Sequence, residues 1–245
     1  MRLVGLTGGI ACGKSSVSAV LADEGIEVLD LDELAREAVV EGSWGYRRVV
    51  RAFGRDVLAA DGSIDRAKLG EVAFGDPEAR RRLNRATHPP IFAALVRAAL
   101  ARWWRGVPLL VLDAPLLYES GLWRVTPVRV AVCASPNVQR ARLEARDDLS
   151  PEAAAQRVAA QAPVAEKARR SQYVIWNDGG REELERKAKW LAAWLKSGAK
   201  PEEAVRETRA DEEVVEGVGG PGVEPDTVSQ WGGEDISGMG RLVNE

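Results

Sequence analysis

A glycine-rich stretch near the N-terminus, GLTGGIACGKSS from Gly5 to Ser16, constrains the possible fold more than any other part of the chain. The apolar residues of RLVGLT, at 2–7, are typical of a short buried strand, and Lys14 to about Asp23 has the pattern of a helix. A strand, a tight turn and a helix in this order form the first half of a βαβ unit. The chain is therefore predicted to begin an α/β domain with a parallel sheet.

The same stretch carries a motif whose residue types suit the binding of phosphate groups. Gly8, Gly13, Lys14 and Ser15 match the spacing G-x-x-x-x-G-K-[ST]. Glycines let the backbone turn several N–H groups toward one phosphate, and the following helix directs its positive end there. We expect Lys14 to contact the β- and γ-phosphates of ATP and the Ser15 hydroxyl to bind Mg²⁺. The predicted nucleotide-binding residues here are Gly8, Gly9, Ile10, Ala11, Cys12, Gly13, Lys14, Ser15 and Ser16.

Strand-like and helix-like segments alternate along the rest of the body, 1–197. This alternation predicts a P-loop fold, in which a five-stranded parallel sheet is flanked by helices. The helical stretch between the second and third strands is too long for one crossover, and we interpret it as an inserted helical lobe at about 42–106. The strands after the first are predicted within 26–32, 107–117, 127–134 and 171–180.

The last 48 residues, 198–245, differ from the body in charge and composition. They contain 12 acidic and 4 basic residues and 9 of the 24 glycines, whereas the body has a net balance of +5. Their apolar surface is too small to offset the entropy of ordering the chain. We therefore predict an acidic, glycine-rich and mostly disordered tail.

Composition also argues against several classes of partner. No stretch approaches 18 uncharged apolar residues, which predicts that the chain does not enter a membrane. The body has no dense basic stripe with interleaved aromatic residues, so no nucleic-acid partner is predicted. Cys12 and Cys133 have no metal-ligand spacing and are predicted to be reduced thiols. Since the N-terminus also lacks the features of a signal peptide, we expect a cytoplasmic protein.

The type of phosphate chemistry is indicated by the residues that follow the strands. The GTPase motif N-K-x-D is not found, and the third strand continues as Asp113-Ala-Pro-Leu where a GTPase would have D-x-x-G. A small-molecule kinase needs a phosphate loop, an acceptor lobe, a base and arginines that close over the phosphates. The candidate base is Asp32, with Asp30 beside it at the end of the second strand. Asp32 could equally be the N-cap of the next helix, and the residues alone leave both alternatives open.

Arginines on a later helix are candidates for the closing group. Arg142 and Arg146 are four residues apart and share a helix face with Gln139. The next helix repeats the pattern with Arg157 and Gln161. Guanidinium groups match phosphate oxygens in geometry and charge. The alternative for any isolated pair of arginines is a basic helix face that only contacts solvent. Two such helices joined by a tight turn predict a helical lid at about 137–165.

The series of motifs resembles the dephospho-CoA kinase family over roughly Leu3 to Leu195. The resemblance is carried by GLTGGIACGKSSV, VLDLDELAREAV, RRRLNRATHPPI, LDAPLLYESGL, QRARLEARDD and VIWNDGG. It implies ATP-dependent phosphorylation of the ribose 3′-hydroxyl of dephospho-CoA to give coenzyme A and ADP, the final step of coenzyme A synthesis. Two alternatives are kept: another small-molecule or nucleoside kinase on the same scaffold, and a nucleotide-dependent regulatory binding protein.

The resemblance also implies roles for individual residues. Asn177 would lie near the adenine of ATP. The implied catalytic residues are Asp32, as general base, with Lys14, Arg142 and Arg146. The implied contacts with the acceptor, dephospho-CoA, are Asp32, Arg80, His88, Leu116 and Glu119.

The chain departs from the family pattern inside the phosphate loop. Ala11 and Cys12 stand where the family usually has glycine and serine. Both residues are small, and neither position supplies the lysine or the metal-binding hydroxyl. We therefore expect nucleotide binding to be retained.

Overall fold

A computed structural model describes residues 1–161 and 163–198, and in this part of the chain five strands form one parallel sheet. The strands are β1 (Arg2–Gly8), β2 (Glu27–Asp30), β3 (Leu109–Asp113), β4 (Val128–Cys133) and β5 (Tyr173–Trp176). Their order across the sheet is β2-β3-β1-β4-β5, so the strand before the phosphate loop is central. The predicted five-stranded α/β fold is confirmed.

α-Helices connect successive strands except between β3 and β4, and they follow the predicted segments closely. Two elements were not predicted, the six-residue helix at Val164–Arg169 and a 3₁₀ turn at Leu122–Arg124. Both are too short to show an apolar period in the sequence. The α-helices are α1 (Lys14–Asp23), α2 (Leu31–Glu37), α3 (Trp44–Phe53), α4 (Arg66–Gly75), α5 (Pro77–Trp104), α6 (Pro136–Asp147), α7 (Pro151–Ala159), α8 (Val164–Arg169) and α9 (Arg181–Ser197).

Apolar cores lie on both faces of the sheet, because successive side chains of a strand point to opposite sides. On β3, Val111 belongs to the core that includes residues of α1 and α9. Its neighbours Leu110 and Leu112 belong to the core that includes residues of α2 and α5. A strand buried on both faces needs apolar residues at consecutive positions, which explains the run LLVL.

The region predicted as an inserted lobe at 42–106 contains α3, α4 and α5. Its own small apolar cluster includes Val49, Val57, Leu69 and Ala86. Farther along α5, Leu95 packs against the sheet instead. The 28-residue helix α5 therefore packs in this cluster at its beginning and covers the sheet at its end.

Apart from Gly198, the tail predicted at 198–245 lies outside the described residues. Within the described ranges, no helix combines the length and apolar character needed to cross a membrane.

Candidate active site

Polar residues of the candidate site lie at one edge of the sheet, where the carboxyl ends of the parallel strands meet. β1 ends at Gly8 and α1 begins at Lys14, which places the phosphate loop at the centre of this edge. β2 ends at Asp30, β3 ends at Asp113, and Asn177 directly follows β5. Open α/β sheets bind their ligands at this edge. The topology thus gathers residues from four separate parts of the chain.

Gly13 precedes the first turn of α1 in a conformation that suits glycine. Its φ is +90°, and a Cβ at this position would lie 2.5 Å from Nδ2 of Asn177. A larger residue would therefore be strained and would displace Asn177. The first N–H groups of a helix have no intrahelical partner, so α1 directs its positive end toward the loop.

The two departures from the family pattern differ in their structural effect. Ala11 has a φ of +57°, in the left-handed region where a residue with a Cβ is disfavoured by about 1–2 kcal/mol. The loop therefore holds backbone strain at a position where glycine would have none. Cys12 is buried, and burial raises the pKa of its thiol to about 11, so the thiol is protonated at neutral pH.

Lys14 forms an ion pair with Asp113, which was missing from the predicted site residues. Asp113 is buried at the end of β3, beside Leu6 of β1 in the sheet register. Its other carboxylate oxygen accepts a hydrogen bond from the hydroxyl of Ser18. The available sequence signal was the aspartate that ends the apolar run LLVLD, on a strand adjacent to the phosphate loop. In P-loop enzymes an acidic residue at such a position takes part in holding Mg²⁺.

The two aspartates near the end of β2 have different structural roles. Asp30 is the N-cap of α2, because its Oδ1 accepts hydrogen bonds from the backbone N–H groups of Asp32, at 2.8 Å, and Glu33, at 3.0 Å. Asp32 lies within the first turn of α2 and is exposed. The alternative that Asp32 is the N-cap is therefore wrong, and its carboxylate is left outside the cap.

The surroundings of Asp32 change its affinity for a proton. Desolvation by neighbouring atoms and the negative charge of Asp30 raise the pKa of Asp32 above its ordinary value, whereas Lys14 and Arg36 act in the opposite direction. The charge of Asp113 adds to the increase. A higher pKa makes this carboxylate a better proton acceptor, as a general base requires. The same interactions place Asp32 within electrostatic reach of Lys14.

Two glutamines of the predicted lid hold the backbone of the phosphate loop. Nε2 of Gln139 donates a hydrogen bond to the carbonyl oxygen of Ile10, at 2.7 Å, and the N–H of Ile10 donates to Oε1 of Gln161, at 2.9 Å. Gln139 is buried on α6, and Gln161 lies just beyond α7. One loop residue is thus held on both sides by the two helices predicted to form the lid.

Arg142 and Asn177 connect the phosphate loop to the turn after β5. Asn177 is buried, and its Nδ2 donates to the carbonyl oxygen of Cys12, at 2.9 Å. Arg142 donates to the carbonyl oxygens of Ala11, at 3.4 Å, and Gly179, at 3.2 Å. It also donates to Oδ1 of Asn177, at 3.4 Å. The two side chains form a polar bridge behind the loop, while the adenine contact of Asn177 stays a prediction.

Arg146, the second arginine of the predicted lid, has a different environment. It is exposed on α6 and donates two hydrogen bonds to Asp147, at 2.8 and 3.1 Å. Arg157 of α7 pairs with the same carboxylate, at 2.8 Å. These contacts with arginine lower the pKa of Asp147. In this structure the carboxylate of Asp147 joins Arg146 of α6 to Arg157 of α7.

Lys167, on the unpredicted helix α8, is a second residue that sequence analysis missed. It is buried, and its Nζ donates to the carbonyl oxygens of Pro115, at 2.7 Å, and Gly8, at 3.4 Å. The carboxylate of Glu119 lies 3.6 Å from the same nitrogen. Nothing in the sequence around Lys167 distinguishes it from its exposed neighbours, since its burial is a tertiary contact. Lys167 thereby fixes the start of the phosphate loop to the segment after β3.

The residues predicted to contact the acceptor lie on two elements. Arg80 and His88 are exposed on α5, and neighbouring atoms desolvate the imidazole enough to lower the pKa of His88. Leu116 and Glu119 are exposed in the segment after β3. Their contacts with an acceptor stay predictions.

Comparison with other sequences identifies closely similar proteins. A family model described as Dephospho-CoA kinase matches residues 2–183. The dephospho-CoA kinase of Anaeromyxobacter dehalogenans is 46% identical over 198 residues, which cover 81% of this chain and 94% of that protein. The dephospho-CoA kinase of Symbiobacterium thermophilum is 40% identical over 237 residues, which cover 95% of this chain and 99% of that protein. The latter match therefore extends into residues 198–245.

Solved structures agree with the observed fold. The crystal structure of a Thermus thermophilus protein superposes with a TM-score of 0.68 at 36% identity, covering 79% of this chain and 97% of that one. The dephospho-CoA kinase of Campylobacter jejuni superposes with a TM-score of 0.62 at 25% identity, covering 81% of this chain and 100% of that one. The similarity thus extends over nearly the whole of both solved chains.

Proposed function

The chain belongs to the dephospho-CoA kinase family, and we propose that it transfers the γ-phosphoryl group of ATP to the ribose 3′-hydroxyl of dephospho-CoA. The products are coenzyme A and ADP. The observation that best supports this activity is the position of Asp32, exposed and outside the helix cap, within electrostatic reach of the phosphate-loop lysine. A protein that only binds nucleotide has no need of a base at this place.

On the donor side, Lys14 leaves Asp113 and contacts the β- and γ-phosphates when ATP enters the loop. The exposed hydroxyl of Ser15 at the start of α1 and the carboxylate of Asp113 are oxygen ligands of the type that Mg²⁺ prefers. The described residues contain no cluster of three or more His, Cys, Asp or Glu that could hold a metal. That fits Mg²⁺, which takes most of its ligands from water and phosphate oxygens. When bound, the ion would neutralise charge on the β- and γ-phosphates.

On the acceptor side, the oxygen of the ribose 3′-hydroxyl forms the new bond to the γ-phosphorus, and Asp32 accepts the proton of that hydroxyl. The bond between the γ-phosphorus and the bridging oxygen breaks, and ADP leaves with the electron pair. The raised pKa of Asp32 assists this step because the carboxylate holds the transferred proton more readily. Arg80, His88, Leu116 and Glu119 are the acceptor contacts that we propose.

The lid supplies positive charge to the transferred group. Arg142 already contacts the backbone of the loop at Ala11, so a small movement of its guanidinium would reach a bound phosphate. Arg146 is held by Asp147 and must exchange that carboxylate for phosphate oxygens. Such an exchange would couple closure of the lid to the presence of ATP.

The proposal is tested with ATP, Mg²⁺ and three acceptors: dephospho-CoA, adenosine and 4′-phosphopantetheine. We expect a clear preference for dephospho-CoA. Preference for adenosine would favour a nucleoside kinase, and nucleotide binding without transfer to any acceptor would favour a regulatory binding protein.

The role of Asp32 is tested with Asp32→Asn, which should lower kcat by about 10²-fold or more while leaving ATP affinity nearly unchanged. Asp30→Asn is the matched control, because asparagine caps a helix about as well as aspartate. Near neutral pH the control should keep most of its activity. A fully active Asp32→Asn variant would contradict the assignment of the base.

A further inference from the structure

A pocket on the inserted lobe has no role in the proposed mechanism. It is a cavity of about 280 Å³ between α3 and α5, open to solvent. Its lining residues are Arg48, Arg51, Ala52, Arg82, Arg85 and Ala86.

The pocket concentrates positive charge without a compensating carboxylate. Arg48 and Arg51 lie three residues apart on α3, and Arg82 and Arg85 lie three residues apart on α5, so each helix presents a pair on one face. In the described ranges, none of these four guanidinium groups forms an ion pair with an aspartate or glutamate. By contrast, Arg81 of the same helix pairs with Glu78. Four neighbouring like charges repel one another, and an anion between them would relieve that repulsion.

Two of the arginines are held in place before any ligand binds. Arg48 donates to the carbonyl oxygens of Ala86, at 3.0 Å, and Arg85, at 2.6 Å, and its guanidinium lies 5.4 Å from the ring centroid of Trp44. The guanidinium of Arg82 lies 5.2 Å from the ring centroid of Phe53. A guanidinium stacked on an aromatic ring keeps its N–H edges available for hydrogen bonds. Less side-chain entropy is therefore lost when a ligand binds.

We propose that this pocket binds a diphosphate group. Four arginine side chains around one pocket favour a ligand with more than one negative charge and with oxygens in different directions, as the two phosphoryl units of a diphosphate have. The small side chains of Ala52 and Ala86 leave this space, and its volume of about 280 Å³ is just below the roughly 300–1,000 Å³ of sites that hold whole drug-sized ligands. The pocket therefore fits one ionic group of a larger molecule, or a small free anion.

Two sources could supply such a group. Dephospho-CoA contains a diphosphate between its adenosine and its pantetheine portions, and this source rests on the proposed function. A free diphosphate anion is the other source. In both cases the shared chemistry is two linked phosphoryl groups bound by arginines of α3 and α5.

Binding is tested by calorimetry with inorganic diphosphate, in the presence of excess Mg²⁺ and a saturating non-hydrolysable ATP analogue that occupies the phosphate loop. The wild-type protein should bind one equivalent in addition to the analogue. The double variant Arg51→Gln/Arg85→Gln should bind at least about tenfold more weakly, because charge-assisted hydrogen bonds are lost. Arg97→Gln, which removes an exposed arginine of α5 outside the pocket, is the matched control and should bind like wild type. Equal binding by all three proteins, or no binding by wild type, would overturn the proposal.

Steady-state kinetics then distinguishes the two sources. A higher KM for dephospho-CoA in the double variant, with kcat retained, would assign the pocket to the acceptor. An unchanged KM together with weaker calorimetric binding would assign it to a free diphosphate anion. Since the calorimetry requires no turnover, an inactive wild-type enzyme would contradict the proposed function and leave the test of the pocket intact. Arg51 and Arg85 are exposed, and thermal denaturation should confirm that the double variant is folded.

Discussion

Replacement of Asn177 by alanine should destabilise the protein even without nucleotide. The side chain is buried, donates to the carbonyl oxygen of Cys12 and accepts from Arg142, so Asn177→Ala leaves both groups without this partner. Loss of a buried hydrogen bond with an unsatisfied partner costs about 1–3 kcal/mol. For a domain of this size each kcal/mol shifts Tm by about 2–4 °C, so Tm should fall by about 2–12 °C.

Thermal denaturation of the nucleotide-free protein measures this effect, with Asn84→Ala as the matched control. Asn84 is an exposed residue of α5, and its replacement should change stability by less than about 0.5 kcal/mol. The reasoning would be refuted by an Asn177→Ala variant with the wild-type Tm and a raised KM for ATP. That result is expected if Asn177 contacts only adenine and does not support the loop.

The isosteric variant Asn177→Asp separates shape from charge. A carboxylate can still accept from Arg142 but cannot donate to Cys12, and it places a negative charge behind the phosphate loop. We expect KM for ATP to rise by about tenfold or more. A repulsion of about 1.4 kcal/mol between the new carboxylate and the phosphates of ATP is enough for a tenfold change. A KM equal to that of wild type would contradict this electrostatic argument.

Three further variants test other contacts of the loop. Ala11→Gly should stabilise the protein by about 0.5–1 kcal/mol, as measured by thermal denaturation. The backbone strain that is relieved at this left-handed position exceeds the conformational entropy that glycine adds to the unfolded chain. A lower Tm would contradict this. Asp30→Asn should lower the pKa of Asp32, because the negative charge of Asp30 is lost. The acidic limb of the profile of kcat/KM against pH should therefore move to lower pH. An acidic limb that stays in place or moves to higher pH would argue against Asp32 as the base. Lys167→Met should lower the free energy of unfolding by about 1–3 kcal/mol, because two backbone carbonyl groups lose their hydrogen-bond donor. Chemical denaturation measures this change. Unchanged stability would show that the buried amine of Lys167 does not hold the loop.

Local patterns were sufficient to predict the sheet and most helices. Runs of consecutive apolar residues, such as LLVL, indicate strands buried on both faces, and caps such as Ser150 before Pro151 mark helix starts. α8 was not predicted, because a six-residue helix is too short to show a period in its apolar residues. The sequence could not separate the part of α5 that packs against α3 and α4 from the part that covers the sheet, because the two parts differ only in their tertiary neighbours.

Among the site residues, those within one local motif were the most predictable. The spacing of Gly8, Gly13, Lys14 and Ser15 places them in one loop, since a strand and a helix on either side restrict the backbone. Asp32 could be found as the candidate base, but the residues alone did not show whether it is the base or the N-cap, because it stands at a helix start. The hydrogen bonds accepted by Asp30 identified the cap.

By itself the sequence determined the phosphate loop, the α/β class and the resemblance to one kinase family, because each depends on residues close together in the chain or on their order. Only the tertiary structure decided which side chains surround the loop. Asp113 meets Lys14 because β3 lies next to β1, and Lys167 reaches Gly8 because α8 packs at the same edge. The burial of Lys167 depends on segments that are distant in the chain. Such contacts cannot be predicted from the local composition around Lys167.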